Sequence, residues 1–238
     1  MIVVTGASGV LGTHVLPLLD APHALSRRPR TGGGATWHAG ELSAPVVGEA
    51  SVILHLASDT RRMGRDDLRQ VRTLLATARP DAHLVYISIA GIDGHPYPYF
   101  RVKREAERLI AARPHTILRA TQWHGFVAGF FDLASKGPAL VVPARTPVTP
   151  VAAEEVATRL AGLAQGPPRG RVADFGGPET LDVAVLARAY LAAAGRRRPV
   201  LGVPVPGRIG RAFREGAHAA VPHAGRTTFA EYLAGRGR

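Results

Sequence analysis

The chain has 238 residues, enough for one sizeable core with at most a smaller appended lobe, and its 46% hydrophobic and 20% charged residues are the values of a folded protein. It contains no cysteine, which excludes disulfides, thiolate metal sites and cysteine nucleophiles. The net charge is +12, but nearly all of the excess is arginine scattered along the chain, with Lys103 and Lys136 the only lysines, so a compositional bias is read here rather than a nucleic-acid surface.

The first element is the apolar run MIVV, followed without pause by VVTGASGVLGTHV at 3–15. Gly6, Gly9 and Gly12 recur there every third position between a strand and a helix, the context a dinucleotide fingerprint requires. The first glycine permits a tight turn, the second lets a diphosphate approach the backbone, and the third lets helix and strand pack closely. Free N–H groups and the positive dipole end of the helix then face the phosphates. The helix is expected over 10–20, with Pro17 kinking or shortening it. A second strand lies in HALSRRPR at 23–30 and ends in Arg27 and Arg28 with no acid nearby. Two guanidiniums suit a 2'-phosphate where an Asp or Glu would hold a 2'-hydroxyl, so NADPH is expected over NADH.

Further along, SVILHLA, HLVYISIA and HTILRA are short, rich in Val and Ile, and lack clean alternation, as strands buried on both faces do. Helices are expected between them at 60–79 and 99–112, the latter stopped by Pro114. Strand and helix take turns, which predicts an α/β doubly wound parallel sheet. On the 99–112 helix Tyr99 and Lys103 are four positions apart and share a face, and Ser88 ends the preceding strand. A phenol beside an ammonium, with a hydroxyl to orient a carbonyl, makes a proton-transfer set in which Tyr99 exchanges a proton with the carbonyl oxygen. Lys103 can also bind a cofactor ribose.

Trp123, His124, Phe126, Phe130 and Phe131 form an aromatic segment suited either to a substrate pocket or to a core. From about residue 136 the pattern loosens into Pro/Gly-rich stretches around helices at 151–165 and 181–194, followed by RPVLGVPVPGRIG. With no repeat and no linker, 1–238 reads as one domain whose last third, 136–238, packs on the sheet. No metal is expected, because no helical His pair or carboxylate cluster has suitable spacing. Without a leader pattern or a run of roughly 20 apolar residues, a cytoplasmic protein with neither membrane nor nucleic-acid partner is expected.

These stretches, together with GELS at 40–43, VYISIAGID at 85–93, YPYFRVKREAE at 97–107, TILRATQWHGF at 116–126 and FGGPE at 175–179, make the chain similar to the short-chain dehydrogenase/reductase superfamily. Within it the sequence resembles the atypical NAD(P)H-binding, NmrA-like branch. The resemblance implies a Rossmann core with a small C-terminal α/β substrate-binding region. By position it implies Gly6, Ser8, Gly9, Val10, Leu11 and Gly12 at the pyrophosphate, and Arg27 and Arg28 at the adenosine phosphate. It likewise implies Glu41 and Leu42 at the adenine, Ala57 and Ser58 by the ribose, and Thr121 and Gln122 near the nicotinamide. Trp123, His124 and Phe126 would line the substrate pocket. The expected activity is an NADPH-dependent ketoreductase or alcohol dehydrogenase acting on a small, partly apolar molecule, as a monomer or a dimer. A non-catalytic NADPH-binding sensor and an epimerase or dehydratase with recycled nicotinamide stand as alternatives, and Tyr97 competes with Tyr99 as proton donor.

Overall fold

A computed structural model describes residues 1–42, 44–135, 137–219, 221 and 223–236. Residue 43, which closes the GELS stretch, and residue 136, where the Pro/Gly-rich third begins, lie outside the described residues. In chain order the elements are β1 (Ile2–Thr5), α1 (Val10–Val15), β2 (His23–Ser26), β3 (Thr36–Ala39), α2 (Pro45–Glu49), β4 (Val52–His55), α3 (Asp67–Thr77), β5 (His83–Ile89), α4 (Pro98–Ile110) and β6 (His115–Ala120). There follow α5 (His124–Ala134), β7 (Leu140–Pro143), β8 (Pro147–Val148), α6 (Ala153–Ala164), β9 (Gly170–Arg171), β10 (Leu181–Asp182), α7 (Val183–Ala193), β11 (Val200–Val203), α8 (Gly207–Glu215) and α9 (Phe229–Arg236). The chain divides into two compact units, one of residues 1–88, 98–119 and 154–173, the other of residues 89–97, 120–153 and 174–238.

The first unit is built on a seven-stranded sheet in the order β3-β2-β1-β4-β5-β6-β9. β1 pairs in parallel with both β2 and β4, so the strand order reverses at β1, the switch point beyond whose strand ends doubly wound sheets bind ligands. The strands are Val- and Ile-rich because both of their faces are covered; Ile53, Leu84 and Tyr86 pack with Val71 and Leu74 of α3 and Ile110 of α4. Helix α4 buries Phe100, Lys103, Ala106, Glu107 and Ile110, a stripe at helical spacing that carries two charged side chains inward. One of them is matched by a strand: Arg119 of β6 donates from Nε and Nη2 to the two carboxylate oxygens of Glu107 at 2.9 and 2.7 Å, with both side chains buried. Truncating the fully buried Ile110 to alanine costs about 2–5 kcal/mol.

Pro17 shortens the first helix. α1 stops at Val15 and a single 3-10 turn, Leu16–Leu18, carries the proline at its start, where the missing N–H costs nothing. The helix expected over 60–79 is likewise broken. A 3-10 turn over Thr60–Arg62 ends at Met63 and Gly64, both at positive φ, before α3 begins.

In the second unit β10 pairs antiparallel with β8 and β11 parallel with β7. Asp182 caps α7 by accepting from the Ala184 N–H at 2.8 Å. Phe131, Leu186, Tyr190 and Phe229 form its core.

Candidate functional site

At the end of β1 the chain turns sharply through Gly6, whose φ is +68°, and a Cβ there would stand 2.6 Å from the Ala57 nitrogen, just past β4. Only glycine fits on both counts. A Cβ on Gly12 would overlap the carbonyl group of Ala7, so the third glycine is what lets α1 lie on its own loop. Gly9 is the extended residue ahead of α1, and its N–H donates to the Gly6 carbonyl at 2.9 Å. Ser8, Gly9 and Val10 are exposed, whereas Leu11 and Gly12 are buried. The first-turn N–H groups of α1 have no acceptor inside the helix, and this open glycine cradle fits a diphosphate.

Arg27 and Arg28 follow directly on β2, which pairs with β1, and both are exposed at the same edge of the sheet. The Gly40 N–H donates to the Ser26 carbonyl at 2.9 Å and brings the end of β3 alongside. Glu41 is then exposed, while Leu42 turns into the hydrophobic core.

The residue after Ala57 opens a hydrogen-bonded side-chain chain. The Ser58 hydroxyl donates to Oδ2 of Asp67 at 2.6 Å and lies 2.8 Å from the Tyr99 hydroxyl. Asp67 is 1% exposed, and its Oδ1 accepts from the Asp59 N–H at 2.8 Å. Gly64 lies against the Tyr99 ring; a Cβ at this positive-φ position would stand 2.8 Å from Cδ2 and Cε2 of the ring. Gly6, Ala57, Ser58 and Tyr99 are thus brought together by contacts within one unit.

Lys103 is buried one helical turn from Tyr99, donates to the Ile87 carbonyl at 3.1 Å and stands 4.2 Å over the Tyr86 ring. Burial lowers its ammonium to about 8, against the opposing charges of Asp67 and Glu107. Burial likewise pushes the Tyr86 phenol well up and depresses His55 to about 3, Lys103 adding to the second effect. His55 is therefore neutral, bonded at Nδ1 to the Thr5 hydroxyl at 2.7 Å. Ser88 is 3% exposed and its hydroxyl has no hydrogen-bond partner. A buried hydroxyl left in that state costs about 1–3 kcal/mol, so it marks a place that favours a polar ligand atom.

The remaining expected residues belong to the second unit. The Thr121 hydroxyl and Oε1 of Gln122 are buried without a hydrogen-bond partner, and Trp123 precedes α5. His124 is 1% exposed, bonds the Thr227 carbonyl through Nε2 at 3.0 Å and stacks on Tyr232. Phe126 is 61% exposed on α5. Tyr97 lies edge-on to Phe213, 5.7 Å between ring centres. Sequence reasoning passed over Asp67 and Gly64: an Asp opening a helix reads as a first-turn acid, and nothing local ties it to a tyrosine 32 positions on.

Among the described residues no three His, Asp or Glu side chains group as a metal site, and no helix is long and apolar enough to cross a membrane.

Against solved structures, the chain resembles an NADPH-dependent quinone oxidoreductase from Escherichia coli in complex with NADPH, with TM-score 0.83, 16% identity and the whole of both chains covered. It also resembles the Citrobacter sp. triphenylmethane reductase complexed with NADP(H), with TM-score 0.76, 18% identity and 98% and 99% coverage. A nucleoside-diphosphate-sugar epimerase from Staphylococcus aureus matches with TM-score 0.76, 16% identity and 98% and 99% coverage. No family model matches the chain, and no curated protein matches its sequence. At these identities the likeness shows the fold: a Rossmann-type α/β sheet of the kind expected from the sequence.

Proposed function

We propose that the protein is an NADPH-dependent oxidoreductase of the short-chain dehydrogenase/reductase type, in the atypical NmrA-like branch, acting between the carbonyl and alcohol forms of a small, partly apolar substrate. One observation carries the reading: the phenol of Tyr99 is bonded to Ser58, the neighbour of the residue against which the glycine turn is pressed. An acid group beside a diphosphate cradle is the minimum that carbonyl reduction requires. Two of the structural neighbours are reductases solved with NADPH or NADP(H), which supports the same cofactor class here.

In this reading Gly6, Ser8, Gly9, Val10 and Gly12 bind the pyrophosphate through the backbone, and Arg27 and Arg28 neutralise the 2'-phosphate. Ala57 lies by the ribose. The unpartnered Ser88 hydroxyl donates to the substrate carbonyl oxygen and fixes its direction. NADPH, when bound, would supply the hydride. Tyr99 gives its proton to the oxygen as the carbonyl carbon is reduced, leaving an alcohol and a phenolate that recovers its proton from solvent. Lys103 helps the phenol release that proton through its positive charge.

The test is fluorescence titration with NADPH and NADH, followed by NADPH absorbance with a carbonyl panel. Tight NADPH binding with oxidation by at least one carbonyl supports the reading. Tight binding with no turnover by any carbonyl would give way to the sensor alternative.

A further inference from the structure

We infer that Asp67, acting through Ser58, keeps the Tyr99 phenol protonated near neutral pH. The inference rests on the function proposed above but is carried by hydrogen bookkeeping within one unit. A serine hydroxyl has one hydrogen, and a carboxylate only accepts. Ser58 spends its hydrogen on Asp67 at 2.6 Å, so the 2.8 Å contact between Ser58 and Tyr99 is filled by the hydrogen of the phenol. Asp67 cannot swing away, because it is buried and its other oxygen is held by the Asp59 N–H.

Losing the phenol proton would oblige Ser58 to choose between two anions on either side of a single hydroxyl. Keeping its hydrogen on Asp67 leaves the phenolate unbonded on that side; turning it strips a hydrogen bond from a buried carboxylate. Either choice disfavours the phenolate. Several neighbouring ionisable groups among the described residues are already engaged. Asp59 and Asp66, on the segment that wraps the ring, are paired with Arg62, and Glu107 on α4 is paired with Arg119. Tyr86 on β5 is held neutral by burial. Lys103, one turn along α4, carries the charge opposite to that of Asp67 and interacts with it. Asp67 is thus a positioning residue, since it reaches the reacting proton only through Ser58.

The experiment compares the wild-type chain with Asp67→Asn, each alongside its Tyr99→Phe counterpart, by ultraviolet titration of phenolate absorbance without substrate. The carboxamide introduced by this substitution can donate to Ser58 and free the serine hydrogen for the phenol oxygen. The Tyr99 component is expected to deprotonate at least one pH unit lower in Asp67→Asn. Reduction by Asp67→Asn is expected to fall about tenfold between pH 7 and pH 9, where the wild type falls less than threefold. An unchanged or higher midpoint in a folded Asp67→Asn variant overturns the inference, even if the protein reduces carbonyls. A lowered midpoint in a protein that reduces none supports the hydrogen-bond assignment while removing the enzymatic reading. Should Asp67→Asn fail to fold, Asp67→Ser replaces it, with the same lowered midpoint expected and the same contrary result decisive.

Discussion

The polar cluster around Tyr99 in the first unit and the imidazole cluster in the second are both crowded with ionisable groups, yet they are wired differently. Around Tyr99 the polar groups bond side chain to side chain, from Asp67 through Ser58 to the phenol, and the direction of each hydrogen follows from the chemistry of the acceptors. In the second unit His124 bonds a backbone carbonyl and stacks on Tyr232, and His218 lies edge-on to Phe213 with ring centres 5.0 Å apart. These histidines meet a backbone carbonyl and aromatic rings. A connected set of hydroxyl, carboxylate and phenol is a device for setting a proton, and connectivity rather than the density of titratable groups separates the two.

The largest effect that tests this contrast is Tyr99→Phe, expected to cut carbonyl reduction about a thousandfold with NADPH affinity unchanged within twofold. His124→Gln in the other unit should leave turnover within threefold and lower only the melting temperature; a hundredfold loss of turnover there would break the distinction.

Next comes acid stability. His55 titrates near 6.5 when unfolded and at about 3 in the fold, so below pH 6.5 the unfolded chain takes up a proton that the native one refuses. Stability is lost as pH falls, by about 3 kcal/mol from this group between pH 7 and pH 4, and denaturant titrations should find that loss missing in His55→Gln.

Lys103 acts in the opposite pH range. It is charged in both states below about 8, so the burial penalty is present in full at pH 7 and is relieved as pH rises from about 8 to 10.5. The wild type should therefore gain stability across that window. Lys103→Met should show no such slope and should be about 1 kcal/mol more stable at pH 7, after roughly 2 kcal/mol is subtracted for the lost carbonyl bond and ring contact. A flat wild-type profile would mean that the ammonium is not buried in solution. The smallest effect is at the arginines: Arg27→Ala with Arg28→Ala should weaken NADPH about tenfold and leave NADH unchanged, as read by fluorescence titration.

What was legible in the sequence was local. The glycine turn is visible because strand, loop and helix are contiguous, and Tyr99 with Lys103 because one helical turn fixes their separation. The strand Thr36–Ala39 escaped notice, since TWHA is short, half-buried and not β-branched through its length. Val200–Val203 escaped for another reason: the prolines around it read as turn chemistry, and its partner Leu140–Pro143 lies about 60 positions away. Asp67 was illegible on the same ground, because its link to Tyr99 exists only after α3 and α4 have docked.

The buried Arg119–Glu107 pair bears on how far this arrangement can be altered. An amphipathic helix lying on a sheet is free to roll or slide, and a slip of one residue turns its faces by about 100°. Glu107 sits two turns beyond Tyr99 on the same helix, keyed by a two-pronged fork to a strand. That fork acts as a detent on the shaft carrying phenol and amine, so anyone transplanting the Tyr99–Lys103 pair into another scaffold needs to carry Glu107 and Arg119 with it.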